Sequence, residues 1–160
     1  MSVESMYQDI ILDHYREKHH TGLREPFGAE VHHVNPSCGD ELTLRVDVVD
    51  GVVRDVSYQG DGCSISQAST SILTDLVIGR SVADTLALYG EFRAMMESAG
   101  AAAPDEDRLE DAIAFQGVAQ FPGRVKCAML AWAALRDALI RSGAVAASAM
   151  PASTFDEEEQ

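Results

Sequence analysis

The sequence predicts an α+β domain, an antiparallel three-stranded sheet with helices packed on one face. Three observations predict it. Leu42, Leu44, Val46 and Val48 alternate with Thr43, Arg45 and Asp47, the period of a half-buried strand. Asp50-Gly51 follows, a pair suited to the positive φ that a type I′ hairpin turn needs at both central positions. After "GDGCS" the apolar spacing changes from two to three and four, and Ala68, Ile72, Leu73, Leu76 and Val77 fall on one helical face. A run of strands followed by a run of helices sorts into an α+β architecture.

The elements follow in order. Ser5 and Gln8 fit a capping box, and Met6, Ile10, Ile11 and Tyr15 form a stripe on a first helix ending near Glu17. "KHHTGLREPFG" reads as loop, with Gly22 and Pro26 as breakers. Ala29 to Asn35 is a weakly patterned strand. Glu41 to Val49 is the clear one, and Val52 to Gln59 returns from the turn with Val52, Val56 and Tyr58 on one face. Gly79 stops the second helix. Ser81 caps a third, through Val82, Leu86, Leu88, Phe92, Met95 and Met96. "AGAAAPDEDR" reads as a mobile acidic loop and Leu109 to Phe115 as a short helix. The last helix opens at Pro122, where a missing N–H costs little. Residues 1–141 form the expected domain. Residues 142–160, "SGAVAASAMPASTFDEEEQ", lack any period and read as a disordered acidic tail.

The chain has 160 residues and a formal net charge of −14. That balance argues against nucleic acid and anionic membranes, both of which need basic surface. No stretch approaches the roughly 20 apolar residues that span a bilayer. "MSVESMYQDIILDHY" lacks a basic region ahead of an apolar run, so a cytoplasmic location is expected.

Three cysteines cannot all pair within one chain, which leaves buried thiols, metal ligands or nucleophiles. All three stand at junctions between elements. Cys38 precedes the first clear strand, Cys63 lies between the hairpin and a helix, and Cys127 is in the first turns of the last helix. Cys38 and Cys63 flank the Asp50-Gly51 turn symmetrically, so antiparallel pairing brings them to the same end of the sheet. Asp40 shares that end, with Gly39 permitting a tight backbone. If the last helix starts there too, Cys127 completes a set of three sulfurs and one oxygen, the number of donors that tetrahedral zinc takes. Helix N-termini at Cys63 and Cys127, with Arg124 and Lys126 close in sequence, favour the thiolate form. The spacing holds no Cys-x-x-Cys pair, so buried structural cysteines remain an equal reading at this point. His14 reads as a packed or surface residue, His19 and His20 as loop. At most one of His32 and His33 can face the site, because neighbours on a strand point opposite ways. A thiol enzyme with His32 or His33 as base for Cys38 shows no orienting partner.

"NPSCGDELTLRV", "GDGCSISQAS" and "GVAQFPGRVKCAMLAWAAL" resemble the three signature segments of SufU-type iron–sulfur cluster assembly proteins, relatives of IscU and of the NifU N-terminal domain. "MYQDIILDHYR" resembles the family's opening helix, and the likeness runs from about residue 5 to residue 141. Lys126 stands where the IscU branch carries histidine, and the long span from Cys63 to Cys127 is similar to the SufU branch. The resemblance implies that Cys38, Asp40, Cys63 and Cys127 hold Zn2+, that Cys38 accepts sulfur, and that Arg124 stands beside the site. It implies a SufS-type PLP-dependent cysteine desulfurase as partner, and downstream Suf cluster-assembly proteins as recipients. The alternatives are a scaffold carrying a transient [2Fe-2S] cluster on the same residues, and a purely structural zinc module. "HYREKHHTG" departs from relatives that often carry Asn-Pro after His-Tyr.

Overall fold

The computed structural model describes residues 3–36, 39–98 and 105–144. Cys38, most of the expected acidic loop and nearly all of the expected tail lie outside the described residues. The order is α1 (Val3–Glu17), β1 (Ala29–Asn35), β2 (Asp40–Val49), β3 (Val52–Asp61), α2 (Ser64–Val77), α3 (Val82–Glu97), α4 (Glu106–Leu109), two 3-10 stretches (Glu110–Gln116 and Val118–Gln120) and α5 (Pro122–Arg141). The sheet is antiparallel in the order β1-β2-β3. Burial alternates strictly along β1 and through most of β2, so one sheet face is covered and the other faces solvent. The expected α+β architecture is therefore the one observed. Helix α5 lies across β1 and β2, and α2 lies on β3 and against both α1 and α5.

The turn forms as the sequence requires, with φ of 52° at Asp50 and 76° at Gly51. The strand after it differs from simple alternation. Asp47 pairs with Asp55 but Val48 pairs with Val53, so Arg54 is an extra residue in a β-bulge. The bulge turns Val53 into the core and leaves Val52 38% exposed, so Val52 does not share the buried face with Val56 and Tyr58 as expected. Arg54 instead pairs with Asp47 on the open face.

Helix α1 begins at Val3, so Ser5 lies inside it rather than at its cap. Its buried side is Ile11 and His14, with Tyr7 and Ile10 half-buried, whereas Met6 and Tyr15 are exposed. The apolar stripe was misplaced because a histidine, not an apolar residue, fills its last buried position. Gly79 (φ 93°) ends α2, and Ser81 caps α3 by accepting the Asp84 N–H at 3.0 Å. The segment expected as a short helix is 3-10 from Glu110 to Gln116, and it buries Phe115 edge-on against Phe92. Phe92 also stacks on Trp132, the only tryptophan, at 4.5 Å.

Candidate metal centre

The covalent path to the centre starts at the end of the sheet away from the Asp50-Gly51 turn. Asn35 pairs with Asp40, and the Gly39 N–H donates to the Asn35 carbonyl at 2.9 Å. Gly39 takes φ 71°, a left-handed conformation cheap only for glycine, and so swings the chain back into β2 at Asp40. On the neighbouring strand Glu41 pairs with Asp61, which brings Gly62 and Cys63 beside Asp40. Antiparallel register alone thus joins residues 23 apart in sequence.

Asp40 is completely buried. Its Oδ1 accepts the Cys63 N–H at 2.9 Å, and its Oδ2 stands 3.7 Å from Cys63 Sγ. Cys63 is the N-cap of α2 and makes no side-chain capping bond, so its sulfur is left to the site. It is half-buried, whereas Cys127 is buried. A carboxylate oxygen of Asp40 and the two sulfurs all lie within 4.8 Å of one another. Three donors from β2, the β3–α2 junction and α5 therefore converge. Cys38 belongs to the two residues between Pro36 and Gly39 outside the described part of the chain.

The donor set suits a cation. Tetrahedral zinc with Zn–S near 2.3 Å and Zn–O near 2.0 Å places sulfur and oxygen about 3.5 Å apart. The observed 3.7 Å needs almost no adjustment. Two glycines make the approach possible. A Cβ on Gly62 would stand 2.7 Å from Asp40 Oδ1 and would collide with Ser66 Oγ, and one on Gly60 would collide with the Glu41 carbonyl. Sequence reasoning assigned no role to these glycines, although "GDGC" displays both.

The helix dipole serves the two cysteines unequally. Cys63 sits at the N-terminus of α2, but Cys127 is the sixth residue of α5, beyond the first turn where the dipole acts. Arg124 is exposed and lines a cleft of about 790 Å³ with Cys63, Phe121, Pro122, Gly123 and Cys127. A second cleft of about 660 Å³ continues from it past Arg124 and Phe121 to Ile65, Tyr7, Ile11 and Leu12. Phe121 stands 60% exposed between the two, an apolar side chain the sequence reading did not single out.

The histidines go elsewhere. His32 bonds Thr43 on the open face, and His33 is buried against Asp137 at 2.9 Å. Asp137 lies ten residues beyond Cys127 on α5, roughly 15 Å along the helix axis. His14 is buried between Ser71 and Asp111. Among the described residues no histidine joins Asp40, Cys63 and Cys127. No helix is long and apolar enough to cross a membrane among the described residues.

The family model of the NifU-like N terminal domain matches residues 6–140. An iron–sulfur cluster assembly scaffold protein IscU of Streptococcus pyogenes serotype M1 is 40% identical over 137 residues, covering 86% of this chain and 84% of its own. A zinc-dependent sulfurtransferase SufU of Bacillus subtilis is 36% identical over 135 residues, covering 84% and 89%. The crystal structure of a protein from Fervidobacterium islandicum AW-1, described as a candidate assembly scaffold for the SUF system, superposes with a TM-score of 0.77. It is 33% identical and covers 86% of this chain and 99% of its own. The names of the relatives straddle the two branches that Lys126 and the long Cys63–Cys127 span were expected to separate.

Proposed function

Since the chain belongs to the NifU-like N-terminal domain family, we propose that it works in iron–sulfur cluster assembly as a zinc-dependent sulfur acceptor. The observation that carries this reading is the convergence of buried Asp40 with Cys63 and Cys127 within 4.8 Å. The name of the Bacillus subtilis relative, a zinc-dependent sulfurtransferase, supports the metal and the chemistry.

Asp40, Cys63 and Cys127 supply three ligands, and Cys38 supplies the fourth. Two residues of chain span at most about 7 Å, so an Asp40 pinned in β2 keeps Cys38 within reach of the same centre. Bound zinc holds thiols as thiolates at neutral pH and brings no redox chemistry of its own. Everything else falls to the chain. The Cys63 N–H fixes the Asp40 carboxylate, so the carboxylate cannot turn away. Cys127 is held by the second turn of α5, a helix with most of its residues buried. Cys38 corresponds to the cysteine that receives sulfur in the SufU-type segments it resembles, and is the ligand assigned to leave and react.

The donor is a persulfide on a PLP-dependent cysteine desulfurase of the SufS type. The Cys38 thiolate attacks the terminal sulfur of that persulfide. A sulfur–sulfur bond forms at Cys38, the donor's own bond breaks, and the donor cysteine leaves as a thiolate with the electron pair. Nothing is oxidised or reduced overall, and the product is a persulfide on Cys38. Arg124, exposed at the cleft mouth, offers positive charge to the incoming persulfide and to the thiolate that leaves. Downstream Suf cluster-assembly proteins then receive the sulfur.

The Streptococcus pyogenes relative, named a scaffold, favours a second reading in which the same donors hold a transient [2Fe-2S] cluster. One experiment separates them. Turnover of a SufS-type desulfurase is measured with the wild-type chain, with Cys38→Ala and with none. Stimulation by the wild type that Cys38→Ala abolishes is the expected result. Equal stimulation by Cys38→Ala removes the acceptor role. Absence of any stimulation, with a cluster that reconstitutes and passes to an apo-ferredoxin, selects the scaffold.

A further inference from the structure

We propose that His14, His19 and Asp75 form a second binding site, for a divalent first-row transition-metal ion, separate from the sulfur centre. Each offers a ligand atom within 4.8 Å of the others. Two imidazoles and a carboxylate form a donor set that suits Zn2+, Co2+ and Fe2+.

Three elements bring these residues together. His14 is on the last turn of α1, His19 follows in the loop, and Asp75 is near the end of α2. The loop is pinned there: the His19 N–H donates to Ser71 Oγ at 2.9 Å, and Thr74 donates to the His19 carbonyl at 3.3 Å. The two imidazole rings lie 4.7 Å apart. Asp75 is twelve residues from Cys63, about 18 Å along α2, so the two centres share no ligand.

Charge and outer partners fit an ion. His19 lies between Asp75 at 2.5 Å and Glu17 at 2.6 Å, His20 reaches the other oxygen of Asp75 at 3.2 Å, and His14 meets Asp111 at 3.1 Å. Three carboxylates thus surround three imidazoles, an excess of negative charge when the imidazoles are neutral. The nearby cations are turned aside, Arg16 toward Asp13 and Lys18 over the Tyr15 ring. His14 Nδ1 is held 2.8 Å from Ser71 Oγ and its Nε2 3.1 Å from Asp111, so whichever nitrogen turns to the ion, the other stays held. A metal-bound histidine ordinarily has its other nitrogen fixed in this way. The Tyr58 hydroxyl is buried beside Ser71 on the interior side of the cluster. His19 and Asp75 are 33% and 40% exposed, free to close the donors to the roughly 3.4 Å spacing of a bound ion.

The "KHHTG" segment, which the proposed sulfur chemistry leaves unused, provides His19, and the inference does not rest on that chemistry. The test is equilibrium dialysis of the full-length chain against micromolar Zn2+, followed by metal analysis. Two ions per chain are expected for the wild type. His19→Ala and Asp75→Asn, both at the surface, should each bind the second ion at least tenfold more weakly and keep the first. Cys127→Ser should lose the first and keep the second. A wild-type count of one that His19→Ala abolishes and Cys127→Ser leaves intact would sink the thiolate centre and retain this one. A count of one that His19→Ala does not change, or a second ion that survives both surface substitutions, overturns the proposal and leaves the cluster a hydrogen-bond network only.

Discussion

Gly62 has no room for a side chain, and the atoms that would be struck are those of the centre itself. An added Cβ would stand 2.7 Å from Asp40 Oδ1. Gly62→Ala must therefore push the carboxylate off the Cys63 N–H or open the turn between β3 and α2. We predict at least tenfold weaker zinc binding and a stability loss of about 1–3 kcal/mol, the usual cost of overpacking, read by competitive chelator titration and urea unfolding. Gly117→Ala, where the added atom would meet nothing within 4 Å, should change neither. Asp40 was legible as a candidate ligand because it is two residues from Cys38 and at the mouth of an unmistakable strand. Gly62 was not, because what it excludes comes from β2, and no local pattern announces a close approach between strands.

The bulge in β3 shows where element-level reasoning stopped. Alternation from the turn places Val52 inside, but the extra residue, Arg54, shifts the face by one, and Val53 is the fully buried valine. A bulge is an agreement between two strands, and nothing in "VVRDVSY" alone fixes its place. Val53→Ala should cost about 2 kcal/mol, for lost burial and a small cavity, whereas Val52→Ala should stay within about 0.5 kcal/mol by urea unfolding. Near-equal effects would contradict the bulged register. The loop after α1 is tied down by Arg24, which donates to both Asp55 oxygens at 2.8 and 3.0 Å and to the Val56 carbonyl. Those hydrogen bonds hold the Asp55 carboxyl below its ordinary range. With the folded value below the unfolded one of about 3.9, the pair contributes fully above that pH, and its contribution is lost as pH falls through the folded value. Arg24 is 38% exposed, so solvent screening limits the pair to about 1 kcal/mol or less. Asp55→Asn should lower stability by that amount at pH 7 and by nothing once pH is well below 3, as seen in thermal unfolding across the acid limb.

At the scale of the whole molecule the centre is also a clasp. Its donors come from β2, from the junction of β3 with α2, and from α5, so a bound ion ties the sheet edge to two helices. An ion that binds only the folded chain adds about 2.7 kcal/mol when present at a hundred times its Kd. For a domain of this size that corresponds to roughly 5–10 °C in Tm. Removing zinc with excess chelator should lower Tm by that much, reported by Trp132, which is buried and stacked on Phe92. Cys63→Ser should already have lost most of the difference. The α+β class and the strand order were readable from the chain, since alternation, turn chemistry and a change of period are local. The meeting of Cys127 with the other donors was readable only through the family resemblance, because no local pattern fixes where α5 lands across the sheet. Zinc K-edge X-ray absorption on the full-length chain loaded with one equivalent of zinc tests that meeting most directly. In the wild type the account predicts three sulfurs near 2.3 Å and one light atom near 2.0 Å, a sulfur shell that Cys127→Ser loses. A wild-type shell of nitrogen and oxygen with no sulfur, or a sulfur count that Cys127→Ser leaves unchanged, would contradict it.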